Sequence, residues 1–134
     1  MRIILDTNLW ISFLISRNYI KFDSIIFRDA CTILFSRELL EEFITVANRP
    51  KLRKYFTPKE LKALLEVLND IAEFVKVKSE VEVCRDPKDN FLLALAKDGN
   101  ADYLITGDND LLILEKFGKT KIIKIAEFIE EVDL

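Results

Sequence analysis

The stretch Met1-Arg-Ile-Ile-Leu-Asp-Thr-Asn8 decides how the rest of the chain is interpreted. Its apolar run, residues 3–5, stops abruptly at Asp6, as in a strand that is buried on both faces of a parallel sheet and ends at the sheet's edge. Apolar side chains at helical spacing follow in residues 9–14, so a helix is expected to start within two residues of Asp6. Ligands of open α/β sheets bind outside the carboxyl ends of the strands, which is the predicted position of Asp6.

Strand and helix patterns alternate along the whole chain. Strands are predicted at residues 3–5, 31–35, 75–77 (with 81–83 as a further candidate), 101–106 and 121–125. After the first helix, helices are predicted over 37–48, from 57 to about 74, between 86 and 99, over 111–117 and over 126–132, with a helical turn or short helix at 21–29. This alternation predicts one α/β domain, residues 1–134, with a mainly parallel sheet and helices on both faces.

Composition limits the chemistry of the protein. The 134 residues have a net charge of −3 and contain no His, which excludes Ser-His-Asp triads, Cys-His pairs and His-ligated metal sites. Cys31 and Cys84 are too few for a disulfide framework or a zinc finger, so free buried thiols are expected. No apolar run reaches membrane-spanning length and no signal peptide is recognisable, so we expect a cytoplasmic protein without membrane contact.

Four acidic residues occupy comparable positions in this plan. Asp6 and Asp108 follow strands, Glu42 lies beside the apolar stripe of a helix, and Asp89 lies in the first turn of another helix. Each also has a structural explanation, as a helix cap, a solvated flank or a turn residue. The loops that hold Asp6 and Asp108 can meet if their strands are neighbours. Carboxylates that converge repel one another, and Mg²⁺ or Mn²⁺ relieves this because hard cations prefer oxygen ligands.

Four segments, in this order, resemble the successive motifs of the PIN domain family: Ile3-Ile-Leu-Asp-Thr-Asn8, Ser36-Arg-Glu-Leu-Leu-Glu-Glu-Phe43, Asp86-Pro-Lys-Asp-Asn-Phe-Leu-Leu-Ala94 and Ala101-Asp-Tyr-Leu-Ile-Thr-Gly-Asp-Asn-Asp-Leu111. The resemblance implies a metal-dependent endoribonuclease with a parallel sheet of strand order 3-2-1-4-5. It is closest to the toxin branch of type II toxin–antitoxin pairs. It also implies one or two Mg²⁺ or Mn²⁺ ions, an RNA substrate, a homodimer and a small antitoxin protein as partner.

The resemblance assigns catalysis to four acids: Asp6, Glu42, Asp89 and Asp108. It assigns metal binding to Asp6, Asp89 and Asp108, and supporting positions to Asn8 and Thr106. Several alternatives stay open. Glu41 or Glu38 could replace Glu42, Asp86 could share the role of Asp89, and Asp110 is a possible fourth or fifth ligand.

Two other functions compete with this interpretation. A phosphatase would use Asp6 as its nucleophile, but such folds usually carry a second Asp two residues on, where this chain has Asn8. A non-catalytic module that binds RNA or protein would not need the intact set of acids. The residues that would contact the RNA backbone are not fixed by the sequence, since basic side chains cluster both at 49–54 and at 116–124. The Leu-rich helix that starts at Thr57 is predicted to offer spare apolar surface for a partner.

Overall fold

β1 (Arg2–Leu5) lies at the centre of a six-stranded sheet in the computed structural model, which describes residues 1–16 and 31–132. It pairs in parallel with β2 (Thr32–Phe35) on one side and with β4 (Tyr103–Ile105) on the other. The apolar run Ile3–Leu5 is fully buried. Both faces of the central strand are therefore covered, as its apolar run predicts.

The complete strand order is β3-β2-β1-β4-β6-β5, with β3 at Glu73–Phe74, β5 at Lys116–Phe117 and β6 at Thr120–Ile123. The first five strands in this order run parallel to one another. The sixth, β5, pairs antiparallel with β6 at the edge of the sheet. For the parallel strands this is the predicted order 3-2-1-4-5, so the predicted fold class is confirmed.

Six α-helices flank the sheet in the described ranges: α1 (Thr7–Ser16), α2 (Arg37–Ala47), α3 (Pro58–Ile71), α4 (Asn90–Asp98), α5 (Asn109–Leu112) and α6 (Ile125–Glu131). Short 3₁₀ turns lie at Pro50–Leu52 and Pro87–Asp89. The helical turn predicted at residues 21–29 lies outside the described residues. None of the described helices has both the length and the apolar character that crossing a membrane would need.

Two element predictions were wrong at the edges of the sheet. Residues 116–117 form β5 rather than the end of a helix, because α5 stops at Leu112 and the left-handed conformations of Glu115 and Gly118 turn the chain back onto β6. The third strand is Glu73–Phe74 rather than 75–77, because α3 ends at Ile71 and the chain is already extended at Ala72. Residues 75–83 belong to no strand of the sheet.

Trp10 fixes α1 against the end of β1. Its side chain is fully buried, its ring centroid lies 5.4 Å from that of Phe35 and 6.3 Å from that of Phe43, and its indole nitrogen donates to the carbonyl oxygen of Leu5 at 3.1 Å. A buried indole that satisfies its N–H in this way adds specificity to its large apolar contact. Asp6, between β1 and α1, is thereby held in one position.

Candidate active site

The carboxyl ends of β1 and β4 place Asp6 and Asp108 at the same edge of the sheet. The two strands are parallel neighbours with Leu5 opposite Ile105, so the residues that follow each strand leave the sheet side by side. The backbone N–H of Asp6 donates to the carbonyl oxygen of Ile105 at 3.0 Å. The predicted convergence therefore occurs, and it follows from strand adjacency.

Thr106 connects the two acidic loops. Its hydroxyl group donates to Asp6 Oδ2 at 2.6 Å, and its oxygen accepts from the backbone N–H of Asp108 at 3.0 Å. The other carboxylate oxygen of Asp6 accepts from the backbone N–H of Asn8 at 3.3 Å, so Asn8 acts on Asp6 through its main chain while the residue itself is exposed. Since Asp6 is only 6% exposed and Thr106 only 1%, these contacts orient the Asp6 carboxylate in a largely dry environment.

Asp89 and Asp108 contact each other near Asp6. Asp108 caps α5, where its Oδ1 accepts from the backbone N–H of Asp110 at 2.9 Å. Asp89 ends the 3₁₀ turn that precedes α4, and its Oδ2 atom is buried without a hydrogen-bond partner among the described residues. A buried carboxylate oxygen without a partner is costly, and it is rare unless a proton or a cation satisfies it.

The electrostatics of the site favour a bound positive charge. Burial, a side-chain hydrogen bond with Asp108 and the negative charges of Asp108, Asp6 and Asp86 raise the pKa of Asp89 to about 8. Burial also raises the pKa of Asp6, and the charge of Asp108 adds to this, while the hydrogen bonds from Thr106 and the Asn8 backbone oppose it. Carboxyl groups crowded in this way retain protons unless a cation compensates their charge.

Asp86, Asp89 and Asp110 form the tightest carboxylate cluster in the described part of the chain. One oxygen from each lies within 4.8 Å of the others. Asp6 and Asp108 do not belong to this set, although both act on the pKa of Asp89. Asp89 is the predicted ligand that belongs to this cluster, and the other two members, Asp86 and Asp110, were predicted only to support the ligands. The all-oxygen donors of both sets fit a hard divalent cation such as Mg²⁺ or Mn²⁺.

Glu42 reaches the site through Thr7. Its Oε2 accepts from the hydroxyl group of Thr7 at 2.6 Å, and Thr7 directly follows Asp6 in the chain. The two alternative acids lie elsewhere on α2: Glu38 is exposed, and the exposed Glu41 pairs with Arg37 at 2.9 Å. Among these three acids, Glu42 is the one that accepts a hydrogen bond from the residue after Asp6.

Sequence reasoning missed three contributors to this region. The position of Thr7 between Asp6 and Asn8 indicates that it lies near the site. Its hydrogen bond to Glu42 could not be predicted, because that contact depends on how α1 packs on α2. Arg85 pairs with Asp110 at 2.6 Å, and no pattern in the sequence indicates it. Cys84 is a buried free thiol, as predicted, and its sulfur lies 3.5 Å from the carbonyl oxygen of Asp110. Burial raises the pKa of this thiol, and the charges of neighbouring carboxylates add to the effect.

A groove of about 620 Å³ lies beside β6. Arg85 and Asn109, which neighbour the acids Asp86 and Asp108 in the chain, line it together with Lys121 and Lys124. Of the basic residues of 116–124, Lys121 and Lys124 therefore lie in this groove, where Glu115 and Glu127 also line the wall, while Lys116 and Lys119 line a separate groove.

Comparison with known sequences places the chain in a family. The sequence model of the PIN domain matches residues 2–110, a region that contains all four predicted acids. An uncharacterized protein of Methanocaldococcus jannaschii is 31% identical in an alignment of 144 residues that spans 99% of this chain and 92% of that protein. No solved structure matches the chain.

Proposed function

Because the chain belongs to the PIN domain family, we propose that it is a metal-dependent endoribonuclease that hydrolyses RNA phosphodiester bonds. PIN domains are generally metal-dependent nucleases. The observation that carries the proposal for this chain is the buried, unpartnered Oδ2 of Asp89, in a carboxyl group whose pKa is raised to about 8 by burial and by Asp108. Such a group lacks a positive partner, and a divalent cation is the partner that several converging carboxylates accept best.

Asp6, Asp89 and Asp108 would hold one or two Mg²⁺ or Mn²⁺ ions, with Glu42 as a further ligand either directly or through water. Asp86 and Asp110 lie close enough to Asp89 to support it or to join the ligands. When bound, the ions would supply an activated water nucleophile at neutral pH and compensate the charge of the phosphate.

The side chains around the acids do the positioning. Thr106 orients Asp6 and ties it to the loop of Asp108, while Thr7 orients Glu42. Asp89 would give up its proton when the site is loaded, since a ligand carboxylate must be ionised. Side chains that hydrogen-bond to metal ligands commonly tune the affinity for the metal and the catalytic activity.

For the substrate path, we favour the groove beside β6 over the basic cluster at 49–54. Arg85 and Lys124 line this groove, and Arg85 also pairs with Asp110 of the acidic cluster, so these two cations would guide the RNA backbone towards the acids. The overall charge of −3 makes such local contacts necessary, because the protein as a whole repels polyanions.

We further propose that the protein acts in the cytoplasm as the toxin of a toxin–antitoxin pair. This finer assignment rests on the resemblance of its motifs to that branch. Expression of the wild-type protein should arrest growth, whereas the D6N variant should not. Co-expression of a small protein encoded by a neighbouring gene should restore growth, and toxicity that the D6N variant retains would contradict the assignment.

The proposed chemistry is tested by cleavage of a labelled RNA with added Mg²⁺ or Mn²⁺ and with EDTA. We expect wild-type protein to cleave only with metal, and D6N, D89N and D108N to lose at least about 100-fold in rate, as when a charged catalytic group is neutralised. The matched control is E41Q, because Glu41 is an exposed acid on α2 away from the site. Cleavage that EDTA leaves intact, or that D6N and D108N leave unchanged, would disprove the assignment. RNA binding without cleavage would instead indicate a binding module, and a stable phosphoenzyme at Asp6 would indicate a phosphatase.

A further inference from the structure

Arg85 lies between the acidic cluster and the groove beside β6. Its Nε donates to Asp110 Oδ1 at 2.6 Å, and Asp110 belongs with Asp86 and Asp89 to the carboxylate cluster. The same side chain lines the groove together with Lys124. A single guanidinium group therefore contacts one of the acids and also lines the surface that we propose for the RNA backbone.

The ion pair of Arg85 with Asp110 is of a kind that exchanges readily. Only Nε takes part, and the two terminal nitrogens of the guanidinium group make no hydrogen bond within residues 1–16 and 31–132. The side chain of Arg85 is 59% exposed and that of Asp110 is 32% exposed, so water and salt screen the contact. A phosphate group accepts two parallel hydrogen bonds from a guanidinium group, which makes it a better partner than a carboxylate held through one nitrogen.

The main chain around Arg85 is fixed, so the exchange requires movement of the side chain alone. The N–H of Cys84 donates to Asn90 Oδ1 at 2.8 Å, and Cys84 is buried. On the other side, Asp86 caps the 3₁₀ turn by accepting from the N–H of Lys88 at 3.1 Å. Exposed side chains change rotamer rapidly, so Arg85 can move from the acid to a phosphate in the groove without a change of fold.

Arg85 and a divalent cation compete for the same acid. The guanidinium group compensates part of the negative charge of Asp110, and this charge is the attraction that a cation at the cluster would use. Two positive groups at one carboxylate also repel each other. Pairing of Arg85 with Asp110 therefore opposes metal binding, whereas a phosphate that draws Arg85 away favours it.

We propose that Arg85 couples substrate binding to metal binding. It pairs with Asp110 in the free protein and transfers to a phosphate of the RNA backbone when the substrate enters the groove, which frees Asp110 for the metal. This inference rests on the proposed function, because it requires both a metal at the acids and RNA in the groove. RNA then raises the affinity for metal, and by linkage metal raises the affinity for RNA by the same factor.

Calorimetric titration with Mn²⁺ in the absence of RNA tests the competition in the full chain. R85M removes the guanidinium group and should raise the affinity for Mn²⁺ by about threefold to tenfold, as expected for the loss of a partly exposed pair and of a positive charge beside the site. The matched control is K124M, because Lys124 lines the same groove but forms no ion pair with the acidic cluster in the described ranges. K124M should leave the affinity for Mn²⁺ unchanged.

Binding of a labelled single-stranded RNA in EDTA tests the transfer of Arg85 without cleavage. D110N removes the acid that holds Arg85. It should bind the RNA more tightly than D86N, which removes the same charge from the same cluster but leaves the ion pair in place. When Arg85 is also replaced, this difference should disappear, so R85M/D110N and R85M/D86N should bind the RNA alike.

Circular dichroism establishes that each variant is folded. Equal Mn²⁺ affinities of R85M and K124M would overturn the coupling, as would equal RNA affinities of D110N and D86N. If cleavage still requires metal and Asp6 in that case, the nuclease assignment stands and only the role of Arg85 is lost. If neither wild type nor R85M binds Mn²⁺, the coupling and the metal-dependent function fail together.

Discussion

The hydroxyl group of Thr106 lies 2.6 Å from Asp6 Oδ2 although the two residues are 100 positions apart in the chain. The contact exists because β1 and β4 are parallel neighbours that end at the same level of the sheet. It is buried on both sides, so the hydroxyl group and the carboxylate depend on each other rather than on water. The hydroxyl oxygen of Thr106 also accepts from the backbone N–H of Asp108. The side chain of Thr106 therefore sets the position of Asp6 relative to Asp108, two of the proposed metal ligands.

Replacement of Thr106 by Val should therefore weaken both the fold and the site. T106V keeps the shape but leaves Asp6 Oδ2 and the N–H of Asp108 without a partner, so the free energy of unfolding should fall by about 1–3 kcal/mol. Affinity for Mn²⁺ should fall by about 10- to 100-fold, as for other partners of metal ligands. Urea unfolding and calorimetric titration measure the two effects. T106S restores the hydroxyl group and should recover affinity, and T106V that binds Mn²⁺ like wild type would show that Thr106 does not position the ligands.

The raised pKa of Asp89 makes the metal-free protein less stable as the pH rises. Between the ordinary value of 3.8 and about 8, the folded protein keeps a proton on this carboxyl group that the unfolded chain has released. The free energy of unfolding contributed by this group therefore falls across that window, with no cost below it and the full cost above it. The D89N variant lacks the titration, so in EDTA it should gain stability relative to wild type from pH 5 to pH 8.

Added metal should make wild type more stable than D89N. Mg²⁺ or Mn²⁺ that binds only the folded site stabilises wild type, and D89N should respond less because it lacks one carboxylate. Thermal unfolding in EDTA and in saturating metal, at both pH values, provides the comparison. Parallel stability curves for wild type and D89N in EDTA would mean that Asp89 does not titrate in this range.

The positions of Asp6 and Asp108 could be predicted because they depend on strand ends. An apolar run that stops at an acid, in a chain with parallel strands, leaves few places for the carboxylate. The positions of the strand ends do not determine which of the acids lie closest together. Whether Asp6 and Asp108, or Asp86 and Asp110, lie nearest Asp89 depends on the 3₁₀ turn at Pro87–Asp89 and on the short helix α5, whose geometry is fixed by local caps and by the ion pair of Asp110 with Arg85.

The edges of the sheet were predicted less well than its centre for a similar reason. Central strands are buried on both faces and their apolar runs are unambiguous, whereas a two-residue strand such as β5 depends on a turn made by two positive φ angles, at Glu115 and Gly118. The valines at 75 and 77 do follow the period of a strand, since both are half-buried and Lys76 between them is exposed. The segment lacks a pairing partner in the described chain, and a single sequence contains no direct signal for pairing.

Glu42 and Glu41 provide a matched pair of acids on the same helix. Glu42 accepts from Thr7 beside Asp6, while Glu41 is exposed and pairs with Arg37. We expect E42Q to lower the rate of RNA cleavage by about 10-fold or more, through the loss of a charged group at the site, and E41Q to leave it unchanged. Thr7→Val should act in the same direction as E42Q because it frees the Glu42 carboxylate. Equal rates for E41Q and E42Q would exclude Glu42 from the site.

Gly99 shows how tightly the helix that follows Asp89 is packed. A Cβ atom at this position would lie 2.9 Å from both Leu34 Cδ1 and the carbonyl oxygen of Leu95, and the second contact is with backbone that cannot easily move. G99A should therefore lower the free energy of unfolding by about 1–3 kcal/mol. The control is G107A, whose Cβ would meet nothing within 4 Å and whose stability should stay within about 0.5 kcal/mol of wild type. Urea unfolding measures both, and if G99A proves as stable as G107A, α4 can shift away from β2 and Asp89 is less firmly held than the contacts around it indicate.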